Sequence, residues 1–169
     1  MNPELILKKY APNEKDFDFV LRHCRKVAEI ALRLAKTARV PVDIDFVKDA
    51  ALLHDIGRFQ HPHKDTAVFH GVVGAEIMLR EGFPKIARVC ECHVGPGIPM
   101  AEAVKCGLPA KDYCPKTVEE KIVCYADKIV AGDKEITFQQ AYDRFLKELG
   151  PDVAKRLQRL HDDVMKLLR

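Results

Sequence analysis

Ala50-Ala51-Leu52-Leu53-His54-Asp55-Ile56-Gly57-Arg58 runs four apolar residues straight into an imidazole and a carboxylate, and then into a glycine that ends the run. Apolar spacing predicts a helix over 46–55, started by Asp43 after the interruption at Pro41. Adjacent His54 and Asp55 cannot both reach solvent from a packed helix of that kind. An ionised carboxylate among apolar neighbours is costly unless something compensates its charge.

The same conflict recurs on both sides of this stretch. Upstream, Val20, Cys24, Val27, Ala31, Leu34 and Ala38 form one stripe of a helix predicted over 14–39, and His23 projects from that stripe. Downstream, Asp127 lies four residues after Val123 and three before Val130 in a helix predicted over 118–130. His70 stands just before Gly71-Val72-Val73-Gly74-Ala75, and His93 ends the run Ile86–Cys92, which places both at helix ends.

Further helices are predicted over 3–10, where Asn2 caps and Pro3 occupies the first position, and over 71–81, 84–93, 138–149 and 152–168. No stretch alternates over the length of a strand, so the fold class is all-α, a compact single domain over 1–169. Breaks fall at Gly82, Gly95-Pro96-Gly97, Gly132-Asp133 and Gly150-Pro151, with a loop over 57–66. The Pro- and Gly-rich segment Gly95–Lys116, with one helical turn near 100–106, reads as a loop over a pocket, where substrate is expected.

Composition narrows the function. At 169 residues, with 47% hydrophobic and 31% charged, the chain has the make-up of an ordinary globular domain. A formal charge of +3, with basic residues spread along the chain, gives nucleic-acid binding no electrostatic support. The start MNPELILKKYAP lacks the apolar stretch of a signal peptide and no run is long enough to span a membrane, so the reading is cytoplasmic. Cys24, Cys90, Cys92, Cys106, Cys114 and Cys124 then read as reduced thiols, mostly small buried hydrophobes, and Cys90-x-Cys92 lacks the second pair that a zinc ribbon needs.

Buried imidazoles and carboxylates together are resolved by a bound cation. Nitrogen with oxygen donors suits Fe, Mn, Co, Ni or Zn better than Ca or Mg, and the number of candidate ligands makes a second metal plausible. His23, then His54-Asp55 within Leu53-His54-Asp55-Ile56-Gly57-Arg58, then Asp127 within Tyr125-Ala126-Asp127-Lys128, resemble the H…HD…D signature of the HD superfamily of metal-dependent phosphohydrolases. His-Asp-Ile-Gly is similar to the mark of its HDIG subgroup, and His70 and His93 match the extra histidines of the dinuclear branch.

This resemblance implies a helical HD domain with a metal-binding core over about 17–131 and C-terminal helices over about 137–168. It implies two divalent transition-metal ions, one held by His23, His54 and Asp127, the other by His70 and His93, with Asp55 bridging. The implied reaction is hydrolysis of a nucleotide or other small phosphate ester by a hydroxide that the metal pair generates. A diiron oxygenase would use the same ligands, and a noncatalytic nucleotide-binding module is a third class.

Five basic side chains remain. Many HDIG proteins carry Lys after the glycine; Arg58 stands here, a bidentate phosphate clamp but a poor proton donor. His61, or His63 two residues on, is placed to donate a proton to the leaving oxygen and to contact substrate. Lys128 reads as solvent-facing and His161 as structural. The long amphipathic ends leave a homodimer open.

Overall fold

In the computed structural model, residues 2–60 and 64–168 are described, the side chains of 64–66 excepted. His61 and His63 lie outside them. The described residues form α1 (Pro3–Tyr10), α2 (Glu14–Thr37), α3 (Ile44–Leu53), α4 (His70–Arg80), α5 (Pro84–Cys92), α6 (Met100–Lys105), α7 (Val118–Lys128), α8 (Phe138–Leu149) and α9 (Pro151–Leu167). The all-α reading holds.

Local chemistry explains the boundaries. Asn2, Asn13 and Asp43 each accept an amide from the first turn that follows, and Thr117–Glu120 and Thr137–Gln140 form reciprocal capping boxes at α7 and α8. Helix α2 stops at Thr37, two residues before the expected end, and Ala38 is its extended C-cap. Helix α3 begins two residues early because Asp43 caps directly onto it. Two 3-10 segments, Ile56–Phe59 and Lys64–Phe69, overlap the ends of the expected loop over 57–66, the second leading directly into α4.

One short hairpin departs from the all-helical reading. Val130–Ala131 (β1) pairs antiparallel with Lys134–Glu135 (β2) around Gly132-Asp133, ending α7 at Lys128 instead of Val130. Two-residue strands are too short to show alternation. Gly132 has φ +64°, the left-handed region that the turn requires and glycine tolerates.

The main core gathers the apolar faces of α2, α3, α4, α5, α7, α8 and α9. Of the predicted α2 stripe, Val20, Cys24, Val27, Ala31 and Leu34 are buried, whereas Ala38 is half-buried. Cys24, Cys90, Cys92 and Cys124 are buried and unpaired as expected, but Cys106 is exposed. Segment 95–116 builds a second small core from Ile98, Ala103, Leu108 and Tyr113, packed on Val68, Phe69, Val72 and Val94.

Gly57 marks where the first 3-10 turn meets α4. A Cβ there would lie 1.9 Å from the His70 carbonyl oxygen and 2.6 Å from the Gly74 amide nitrogen, both backbone atoms that cannot rotate away. Gly57→Ala should therefore destabilise the fold by about 3 kcal/mol, read as a lower urea midpoint. An unchanged midpoint would mean that the two backbones are not in contact.

Candidate metal centre

Helix ends bring the histidines together. His54 is the C-cap of α3, His93 is the C-cap of α5, and His70 opens α4, so three rings leave the backbone where chain segments turn. His23 comes from the middle of α2. His54 Nδ1 meets Ala51 O at 2.7 Å, His93 Nδ1 meets Cys90 O at 2.7 Å, and His70 Nδ1 meets Ala67 O. His23 Nδ1 meets Gly132 O at 2.7 Å. A carbonyl can only accept, so every Nδ1 is the donor and each neutral ring keeps its lone pair on Nε2.

All four Nε2 atoms converge on two carboxylates. Asp55 Oδ1 lies 3.2 Å from His70 Nε2 and 3.1 Å from His93 Nε2; its Oδ2 lies 3.6 Å from His23 Nε2 and 3.8 Å from His54 Nε2. Asp127 Oδ1 lies 2.9 Å from His23 Nε2 and 3.6 Å from His54 Nε2. Three overlapping groups result, His23/His54/Asp55, His54/His93/Asp127 and Asp55/His70/His93, each with ligand atoms within 4.8 Å of one another.

The donor set fits divalent cations. His54 Nε2 is buried and has no hydrogen-bond partner. His70 Nε2 and His93 Nε2 face each other at 2.8 Å while their Nδ1 atoms donate elsewhere. Burial pushes His93 down to about 3, overriding the opposing pull of the Asp55 carboxylate, so this ring is neutral and carries a free lone pair. Unpaired lone pairs directed at one buried carboxylate oxygen need an electrophile between them.

Charge is compensated from the protein side as well. Burial pushes the Asp55 carboxyl up, but Arg58 and the surrounding imidazoles of His54, His70 and His93 outweigh it and hold the group well below the usual carboxylate range. Asp127 follows the same pattern, with Lys128 and His23 outweighing burial. His23 is driven down by burial but carried up to about 9 by Asp127 and Asp55. Arg58 Nε bonds Asp55 Oδ2, and Lys128 Nζ bonds Asp127 Oδ2.

Lys128 corrects the sequence reading. It is not solvent-facing but 6% exposed, because α7 is enclosed along nearly its whole circumference between Ile122 and Lys128. Arg58 is also not a free surface charge, being committed to Asp55. His161 takes the expected structural place, 2.7 Å from the Tyr125 hydroxyl and stacked on Phe138.

A cavity of about 460 Å³ opens beside the centre. His23, Asp55, Arg58, Asp127 and Lys128 border it on the polar side; Phe19, Val130, Arg144, Phe145, Glu148 and Leu149 line the rest. Nothing from Gly95–Lys116 lines this cavity among the described residues. Segment 95–116 spends its apolar side chains on its own small core instead. The α8 contribution was missed because it depends on that helix folding back beside the centre, which periodicity does not encode.

Comparison with known proteins agrees with this geometry. The model of the HD domain family matches residues 20–132, which span all six converging residues. The chain is 42% identical to an uncharacterised protein of Methanocaldococcus jannaschii, covering 89% of this chain and 90% of that protein. It is 41% and 37% identical to proteins named tRNA (cytidine(56)-2'-O)-methyltransferase from Thermoplasma volcanium and Picrophilus torridus, covering 92% and 95% of this chain. It spans 44% and 49% of those two, about half their length. The HD domain of the L. monocytogenes phosphodiesterase PgpH has a similar fold, with a TM-score of 0.54 over 97% of each chain at 18% identity. The six-residue cluster, the helical fold and the match over most of its length make this chain a member of the HD domain family.

Proposed function

We propose that the chain is a metal-dependent phosphohydrolase acting on a nucleotide or another small phosphate ester. The observation that carries this reading is the convergence of four Nε2 atoms, each with its Nδ1 tied to a carbonyl, on two buried carboxylates, leaving His54 Nε2 without a partner. His23, His54 and Asp127 would hold one divalent ion, His70 and His93 a second, and Asp55 both. When bound, such a pair makes water acidic enough to attack at neutral pH and neutralises charge on phosphoryl oxygens.

The protein's own part is orientation and charge. Carbonyl bonds to Nδ1 fix the rings before any ligand arrives, so little reorganisation is left for the reaction. Arg58 and Lys128 both border the cavity, and a phosphate oxygen there would meet a guanidinium and an ammonium. Water supplies the new oxygen on phosphorus, the phosphorus–oxygen bond to the alcohol breaks, and that oxygen takes up a proton. From their place in the sequence a few residues after Asp55, His61, or His63 two residues on, would donate that proton and contact the leaving group.

The names of the two archaeal methyltransferase relatives favour a second reading, in which RNA carries the phosphate. A substrate panel should therefore include 5′-phosphorylated RNA beside nucleotides and simple phosphate esters. Hydrolysis supported by redox-inert ions such as Zn would also exclude the oxygenase alternative for the observed activity.

Elemental analysis of protein saturated with Mn, Co, Ni, Fe or Zn should give two ions per chain, and chelation should abolish hydrolysis. One ion per chain, retained when His70 and His93 are replaced, would contradict the paired assignment. Asp55→Ala should lose metal and reduce turnover below detection. Arg58→Ala should keep metal and lower kcat/KM by roughly 100-fold, whereas kinetics unchanged in Arg58→Ala and Arg58→Lys would leave this side chain without a role in substrate binding.

Metal affinity should depend on pH through His23. In the metal-free protein this ring is protonated below about 9, and it must lose that proton to coordinate. Apparent affinity should then rise roughly tenfold per pH unit between 7 and 9 and level off above. Calorimetry in buffers of different ionisation heat should detect the released proton; affinity that does not change over this range would contradict it.

A further inference from the structure

We propose that the far wall of the cavity, made by Phe19 of α2 and by Arg144, Phe145, Glu148 and Leu149 of α8, is a specificity site for the nucleoside part of a nucleoside monophosphate. The proposal rests on the phosphohydrolase reading for where the phosphate sits, and it adds what the rest of the molecule must be. Nothing in the metal centre requires this wall, because α8 contributes none of the six converging residues.

The wall has the chemistry of a nucleoside receptor. Phe19 and Leu149 are 61% and 55% exposed, on two different helices, and both face the same cavity, with Phe145 buried behind. One exposed apolar residue needs no explanation, but an aromatic ring and a leucine lining one concave surface offer a face for a flat, weakly polar ring. Stacking on such a face tolerates any base.

Two charged groups on this wall have no ion-pair partner among the described residues: Arg144, whose guanidinium also lies 5.4 Å from the centre of the Phe145 ring, and Glu148. The half-buried Arg144 guanidinium donates to the Lys128 carbonyl at 3.3 Å and has no carboxylate partner among the described residues. That bond holds it on the lining of the cavity, where its remaining donors suit a phosphate oxygen. Glu148, one helical turn on, lines the same cavity without an ion pair among the described residues, and its carboxylate can accept from ribose hydroxyls.

Anionic at one end, hydroxylated in the middle and flat at the other is a nucleotide. The volume of about 460 Å³ lies in the range of small-molecule sites, roughly 300–1,000 Å³.

Binding can be read without turnover by using phosphonates in which a methylene replaces the ester oxygen. Metal-loaded protein should bind the phosphonate of adenosine 5′-monophosphate at least tenfold more tightly than that of ribose 5-phosphate. The double variant Phe19→Ala, Leu149→Ala changes two exposed side chains, so folding and metal content should survive, and it should lose roughly that tenfold for the adenosine compound. Arg144→Gln should weaken both compounds alike, as loss of an anion contact requires. Equal binding of the two compounds by the unaltered protein, or unchanged adenosine binding in the double variant, would overturn the proposal. So would a 5′-phosphorylated oligonucleotide that binds tenfold more tightly than the mononucleotide analogue. Hydrolysis that does not distinguish esters carrying a base from esters lacking one would sink this wall but not the phosphohydrolase reading; selective nucleoside binding with no hydrolysis of any ester would do the reverse.

Discussion

Asp55 and Asp127 are 2% and 8% exposed, close enough to share two histidines, and the cost of placing two carboxylates inside a helical bundle governs what lies around them. Each acid is met by imidazoles on one side and a cation on the other: Arg58, three residues after Asp55, and Lys128, directly after Asp127. Both cations come from the same local segment as the acid they neutralise. Folding the segment therefore delivers the charge together with its counter-charge, and no distant element has to find it.

Ring orientation is solved with groups that the helices leave spare. The last carbonyls of a helix have no intrahelical amide partner, and Ala51 and Cys90 lie in the final turns of α3 and α5. His54 and His93 bond those carbonyls through Nδ1 from the C-cap position. One hydrogen bond thus ends a helix and aims a ligand. Close backbone approach then sets the spacing: Gly57 lies against the His70 carbonyl, and a Cβ on Gly71 would come within 2.7 Å of the Cys90 carbonyl. Side chains at these two points would separate His54 from His70, and His70 from His93.

Much of this was legible in the sequence because burial of a polar side chain is a local contradiction. His23 on an apolar stripe and His54-Asp55 after four apolar residues announce a buried centre without any tertiary information. Lys128 misled because helical spacing assumes one wet face, and α7 is wrapped by α2, α3, α5 and α9. The hairpin at 130–135 was invisible for another reason, since two residues cannot show a period, yet its turn supplies the Gly132 carbonyl that orients His23. Where the cavity opens depends on α8 returning to the mouth of the centre, a long-range outcome, whereas composition alone made segment 95–116 look like the natural cover.

Arg58 and Lys128 connect the stability of the centre to its use. Each holds a carboxylate oxygen and also borders the cavity, so both stand between the acids and whatever enters. In the metal-free protein their charges compensate the acids, which lets the centre persist without unpaired buried carboxylates. Once other positive charge takes over that compensation, the guanidinium and ammonium can turn to a phosphate without leaving an acid unpaired. A phosphate brought in first would compete with Asp55 and Asp127 for the same two cations, at the cost of exposing buried negative charge to one another. In the proposed reaction, this geometry favours an order in which the carboxylates are satisfied before an anionic substrate is held.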